Sequence, residues 1–377
     1  MHFRFVLFAL FAVLGGAQVT WVTTVTTYNP PNNVAKMAYS TDGVSYTVVS
    51  TPFSSFTTTL HNDVVFAQNK WIVAGYNSGL YNLFPSPMLS SLDGMTWSLT
   101  NTSAPSFMDG WANCVCYGAF GWIAVGGQGS YNKSVGRSDD GLNWVEVTFA
   151  TIPNIPRPTT CGWSPTLSQY VMGGSIAFGG NAPLAYSNDG VNWIGVSSPP
   201  SITAVFDVAY GKGLWVAVGN ANSGNPRMST SADGVTWTAI ALPPNGNLYG
   251  IGISSTTFIA VGGGVKLINS TDGITWTPYQ SAGESYSAWG LKIAFNAAQN
   301  RWTSVGYGGA TLYSIDNGRN WTSTGSYAVT QAAPFVGGVA TNGLLGAPST
   351  TPQPSQASLS HYSCFALLLS ILVMALV

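Results

Sequence analysis

Six carboxylates are not the recurring aspartate of the chain's repeated motif: Asp63, Asp109, Asp139, Glu146, Asp207 and Glu284. Two carboxylates on either side of a sugar can hydrolyse a glycosidic bond, one as general acid and the other as base or nucleophile. Asp63, Asp109 and Asp207 are the ones placed for that work, each near the start of an apolar strand. The competing reading of all three is structural, a carboxylate at the mouth of a channel. The long segments 50–62, 77–87, 100–113 and 150–160 carry Phe53, Phe56, Tyr81, Phe84, Phe107, Trp111 and Arg157. Aromatic side chains on such loops stack on sugars or anchor a protein partner; loop packing is their plainer role. Beyond His2 the histidines are His61 and His361, and no Cys-x-x-Cys pair occurs, so neither a metal nor a cofactor is expected.

The other seven acidic residues belong to one motif. Ser91-Leu92-Asp93-Gly94-Met95-Thr96-Trp97 returns with its aspartate at Asp42, Asp93, Asp140, Asp189, Asp233 and Asp272. A seventh copy at Asp316 is one residue longer: Ser314-Ile315-Asp316-Asn317-Gly318-Arg319-Asn320-Trp321. The spacings are 51, 47, 49, 44, 39 and 44 residues, the period of an array of supersecondary units. Asp-Gly between β-branched and aromatic residues predicts a tight two-residue hairpin turn, with glycine supplying positive φ and the carboxylate accepting the turn's own N–H groups. The motif's last aromatic, Tyr46 in the first copy and Trp in the others, supplies an apolar anchor.

The motif resembles the Asp-box, or BNR, repeat of β-propellers such as sialidases, sortilin-type receptors and photosystem II assembly factors. The seventh copy matches the family spacing Ser-x-Asp-x-Gly-x-x-Trp; the other six are a shortened variant. The resemblance implies a propeller in which the box aspartates are structural, on the face away from a sialidase active site. A sialidase also needs three clustered arginines, a Tyr/Glu nucleophile pair and an acid/base carboxylate. Its early Phe/Tyr-Arg-Ile-Pro motif is absent: after Arg4 the first arginine is Arg137, and Ile155-Pro156-Arg157-Pro158 departs from the pattern. Arg301 and Arg319 are expected on the box face.

Four strands precede or enclose each later box. The unit over residues 206–241 shows them best, with an apolar second strand, Leu214-Trp215-Val216-Ala217-Val218-Gly219, that recurs from unit to unit. The first unit lacks its innermost strand, and Phe335-Val336-Gly337-Gly338-Val339-Ala340-Thr341 near the chain end resembles the missing piece. A propeller must leave no open edge. The expected fold is therefore all-β, a seven-bladed propeller of four-stranded blades over residues 18–343, with the C-terminal strand completing blade 1.

The two ends read as processing signals. Residues 1–17 form a secretory signal peptide with an apolar run and a small-residue cleavage site. Residues 344–360 are a Pro/Ser/Thr-rich stalk, and 361–377 a hydrophobic GPI-attachment signal, too short to span a bilayer as a helix, with Ser355 the preferred attachment residue. Charged residues make up only 7% and net charge is −1, which excludes a basic nucleic-acid surface. Polarity comes instead from Ser, Thr and Asn, and the sequons at Asn101, Asn132, Asn269 and Asn320 are candidate glycan sites. Aligning the blades puts Cys114 and Cys161 at equivalent positions of adjacent innermost strands, which leaves a Cys114–Cys161 disulfide or buried free thiols as the two readings. The function expected is a non-catalytic, GPI-anchored surface propeller that binds a glycan or protein on its top face, touching membrane only through the lipid. The alternative is a divergent sialidase-like glycoside hydrolase.

Overall fold

The computed structural model describes residues 18–27, 34–52, 59–77, 88–102, 107–127, 134–147, 155, 157–175, 183–196, 202–220, 227–242, 246–263, 267–279, 290–306, 310–326, 334–335 and 338–342. The signal, stalk and anchor segments, with Ser355, lie outside them, as do Asn132, Glu284 and the loop aromatics Phe53, Phe56, Tyr81 and Phe84.

Seven antiparallel blades form a closed ring. The innermost strands of blades 2 to 7 are Thr59–Ala67, Ala112–Gly118, Pro158–Ser164, Ala204–Gly211, Leu248–Ile253 and Gly290–Asn296. Blade 1 closes as expected: Trp21–Thr27 takes its inner partner from the chain end, with Trp21 opposite Thr341 and Thr23 opposite Val339. Thr24 and Gly338 finish the seam, the Gly338 N–H donating to Thr24 Oγ1 at 2.7 Å. Blade 3 carries one extra edge strand, Asn101–Thr102, parallel to Asn143–Glu146.

Each box is a wider turn than a two-residue hairpin. In blade 5 the paired strands are Met228–Ser231 and Thr238–Ile240, with residues 232–237 between them. Asp233 Oδ1 accepts the Ser231 hydroxyl and the N–H groups of Val235 and Thr236 at 2.7–2.9 Å, while Ser231 Oγ accepts Gly234 N–H at 2.8 Å. Two side chains thus satisfy the turn's donors, and only Gly234 needs positive φ (74°), where a primed hairpin turn needs two such residues. The longer seventh copy adds Asn317 at φ 60° ahead of Gly318 at 79°.

A second aromatic series lies under these turns. The second strand of every blade contributes a buried ring: Trp21, Trp71, Trp122, Tyr170, Trp215, Phe258 and Trp302. A Cβ on Gly43 would come within 2.7 Å of Trp21 Nε1, and one on Gly141 within 3.2 Å of Trp122. Glycine at the box therefore answers to packing as well as to φ.

Candidate functional site

The innermost strands of blades 2 to 7 each carry a one-residue bulge, at Asn62, Asn113, Thr159, Phe206, Tyr249 and Leu291. A bulge re-aims the residues that follow it. Immediately after it, opposite the residue three beyond the buried ring of each second strand, stand Asp63, Cys114, Thr160, Asp207, Gly250 and Lys292. Gly338 takes the same place in blade 1, bonded to Thr24. One register position thus supplies a tier around the axis, and three of its members can be charged.

The bulge residues clasp neighbouring blades. Asn62 Nδ2 donates to the Ala112 carbonyl at 3.1 Å, Asn113 Nδ2 to that of Pro158 at 2.9 Å, and Thr159 Oγ1 to that of Val205 at 2.5 Å. At blades 5 and 6 the clasp becomes an aromatic contact, Phe206 on Tyr249 with centroids 5.5 Å apart.

Asp63, Asp207 and Lys292 are all excluded from solvent. Asp63 Oδ2 accepts the Cys114 thiol and the Val115 N–H, both at 3.1 Å. Asp207 Oδ2 accepts Ile251 N–H at 2.9 Å, and its Oδ1 accepts Val208 N–H at 2.9 Å and the Thr160 hydroxyl at 3.4 Å. Burial pushes the Asp63 carboxyl up to about 7, against the pull of the Lys292 ammonium and of those hydrogen bonds. Burial likewise pushes Asp207 up to about 8; Lys292 and the Ile251 N–H pull it down and the Asp63 charge adds to the rise. Two carboxyls share one ammonium, so the tier accommodates about one negative charge at neutral pH. His61, two residues before Asp63 and within 3.2 Å of Thr51 Oγ1, is held neutral by burial, its pKa lowered to about 3.

The expected candidates separate into four places. Asp63 and Asp207 share the axial tier with Lys292, whose charge acts on both. Asp109 sits apart, at φ 50° in the turn Phe107–Gly110, which packs on the outer strands of blade 3 through Met108 N–H to Glu146 Oε1 at 2.7 Å. Trp111 is 7% exposed and packs on Tyr76, ring centroids 3.8 Å apart, at the seam of blades 2 and 3. Arg157 is half-buried at the head of blade 4's innermost strand. Among the described residues the arginines do not cluster: Arg137 pairs with Asp139 at 3.1 Å, Arg227 donates to the Gly246 carbonyl and Arg301 to that of Asp42. Lys292 was missed by sequence reasoning. Its signal is a lone cation inside the apolar run Gly-Leu-Lys-Ile-Ala-Phe.

The cysteine expectation needs correcting. The disulfide joins Cys116 to Cys161, Cα atoms 5.9 Å apart, and ties the innermost strands of blades 3 and 4. Cys114 is a buried free thiol. The blade 4 residue equivalent to Cys114 is Thr160; Cys161 lies one step further. A one-residue offset turns a side chain to the opposite face, so Cys161 faces blade 3 and meets Cys116.

Of the sequons described, Asn101 is exposed and its amide donates to Asn143 Oδ1 at 3.0 Å. Asn320 donates to Asp316 Oδ2 at 2.6 Å, and Asn269 is half-buried on a third strand. Among the described residues there is no group of three or more metal-ligating side chains, and no helix is long and apolar enough to cross a membrane.

No family model matches the chain, and no curated protein does. Solved structures match it as folds. PorZ, described as an essential bacterial surface component of the type-IX secretion system of Porphyromonas gingivalis, gives a TM-score of 0.50 at 10% identity, over 79% of this chain and 46% of that one. YCF48 from Cyanidioschyzon merolae gives 0.49 at 18% identity, over 70% and 84%. A GH74 enzyme of Niastella koreensis gives 0.41 at 13% identity, over 80% and 53%. This chain thus spans about half the length of two of the three. At such identities the likeness is one of propeller fold alone.

Proposed function

We propose that this protein is a recognition module of the cell surface, carried there by the signal at 1–17 and held by a GPI lipid at Ser355. It binds a glycan or a protein through the loops of its top face, opposite the box turns. One observation carries this reading. Asp63 and Asp207, the two carboxylates that share the axial tier, are buried and bound to backbone N–H groups of neighbouring blades. What the molecule offers to a ligand is therefore surface. Arg157, with the sequons at Asn101, Asn132, Asn269 and Asn320 as glycan carriers, belongs to that surface; Trp111, packed on Tyr76, supports it from beneath.

The test is a binding screen of the released ectodomain against a glycan array and against intact cells with proximity labelling. Saturable binding that weakens in Arg157→Ala, with melting unchanged, is the expected result. Release of free sugar from the arrayed glycans would favour the hydrolase instead. The anchor is tested separately. Phosphatidylinositol-specific phospholipase should free the protein from cells, whereas retention with a surviving C-terminal tag refutes the GPI lipid.

A further inference from the structure

The box turns carry one kind of side chain. The residue after the box glycine is apolar in six blades: Val44, Met95, Leu142, Val191, Val235 and Ile274. Its N–H is fixed in every case by the box aspartate at 2.8 Å, so the side chain is held by a rigid turn. Met95, Leu142, Val235 and Ile274 are exposed, Val44 is half-buried and Val191 packs against the core. Arg319 replaces it in blade 7, where Ile315, 58% exposed, projects from the same turn; Leu92 adds an 80% exposed side chain in blade 2, and Ile274 is 60% exposed. Single exposed apolar residues are ordinary, but a repeat of them at one turn on one face is not scattered.

The chain leaves the ring at this same face. Asn342 follows the closing strand and is held there by N–H to Thr20 O at 3.1 Å and by Nδ2 to Val19 O at 2.6 Å. The stalk and the apolar tail therefore begin under the box turns. From Asn342 to Ser355 a fully extended chain reaches at most about 45 Å. A lipid attached there holds the box face within that reach of the bilayer.

We infer that the box face docks on the lipid bilayer, the apolar turn residues entering its interfacial layer while the top face is turned outward. This rests on the surface-anchored reading above. A flat surface suits the occupant, because the contacts are spread around a planar ring instead of gathered in one groove. Charge narrows the lipid. Seven box carboxylates share the face with Lys70, Lys212, Arg301 and Arg319, and the Arg137–Asp139 pair is neutral. The excess of negative charge disfavours anionic headgroups and leaves zwitterionic lipid as the partner.

The test uses the full chain on cells, with a protease site placed in the stalk so that the propeller can be released whatever holds the tail. The ring is closed at Thr341, so the cut leaves it intact. Released protein is floated with phosphatidylcholine vesicles. Wild type should rise with the vesicles, and Leu92→Asp/Ile274→Asp/Ile315→Asp should reduce the bound fraction by roughly tenfold or more. The single Leu92→Asp, at a side chain that packs on little, should weaken binding in part with unchanged melting. Four outcomes overturn the inference: no flotation of wild type, equal flotation of the triple variant, tighter binding to phosphatidylserine vesicles, or a dimer by light scattering that the triple variant dissolves. If phospholipase fails to free the chain but flotation behaves as expected, the lipid anchor falls and the docking face stands.

Discussion

Asp63 and Asp207 occupy the same register position three blades apart and close on the next blade in the same way, Asp63 Oδ2 on the N–H of Val115 and Asp207 Oδ2 on the N–H of Ile251. Each acceptor serves an N–H on the strand one blade further on. Asp207→Asn keeps an acceptor there and should be nearly neutral at pH 4, where the carboxyl is protonated. Asp207→Ala leaves the Ile251 N–H without it and should cost about 1–3 kcal/mol, read as a lower urea midpoint at unchanged slope.

The same carboxyls set a pH dependence. Their folded pKa values, about 7 for Asp63 and about 8 for Asp207, lie above the ordinary value, so the folded state holds protons that the unfolded chain has released. Stability is then fully present below about pH 4 on their account and is lost as pH rises to about 8. His61 acts in the opposite direction. Its folded pKa of about 3 lies below the ordinary 6.5, so its contribution is present above pH 6.5 and is lost as pH falls toward 3. Urea melts across pH 4–9 should therefore show that Asp207→Asn loses less stability than wild type on the alkaline side. Lys292→Met, which removes the charge lowering both carboxyls, should extend the decline to higher pH. Identical pH profiles for wild type and Asp207→Asn would remove the axial carboxyls from the explanation.

Peptide mapping without reduction should recover Cys116 joined to Cys161, with Cys114 alkylated only after unfolding. Replacing Cys116 by Ser should destabilise the protein by about 2–4 kcal/mol, whereas Cys114→Ser should cost far less. A recovered Cys114–Cys161 peptide would contradict the strand register that sets Cys114 level with Thr160.

Two glycines with the same backbone separate conformation from packing. Gly213 (φ +78°) has nothing within 4 Å of where a Cβ would stand, while at Gly43 (φ +72°) that atom would lie 2.7 Å from the Trp21 ring. Gly213→Ala should cost about 1–2 kcal/mol. Gly43→Ala should cost a further 1–3 kcal/mol or so, because the buried ring must shift. Equal thermal shifts for the two would mean that the rings under the boxes do not support the turns.

The sequence showed the ring more plainly than the axis. Each box repeats in full, so seven blades were legible, and the want of an inner strand before Trp21 pointed to closure by the chain end. The axial tier was not legible, because its register is counted back from the hairpin between the first and second strands, and that hairpin varies in length: Tyr117 pairs with Trp122 and Tyr210 with Trp215, but Trp163 pairs with Tyr170 and Phe295 with Trp302. Counted at a fixed distance before the second-strand ring, blades 4 and 7 fall out of step and the lysine at 292 is one more residue in an apolar run. Counted along the ladder, Cys114 aligns with Thr160, and Asp63, Asp207 and Lys292 fall on one tier. The aromatics beneath the box glycines were likewise hidden, since Trp21, Tyr170 and Phe258 differ in type and share only their place in the second strand.

The central claim is that the axial carboxylates hold the ring and do not react. Turnover of a panel of aryl glycosides by the purified protein, beside Asp63→Asn/Asp207→Asn, tests it most directly. The account predicts rates for wild type no higher than those of the folded double variant. Aglycone release by wild type that the double variant abolishes, with its fold intact, would contradict it and make this propeller a glycoside hydrolase.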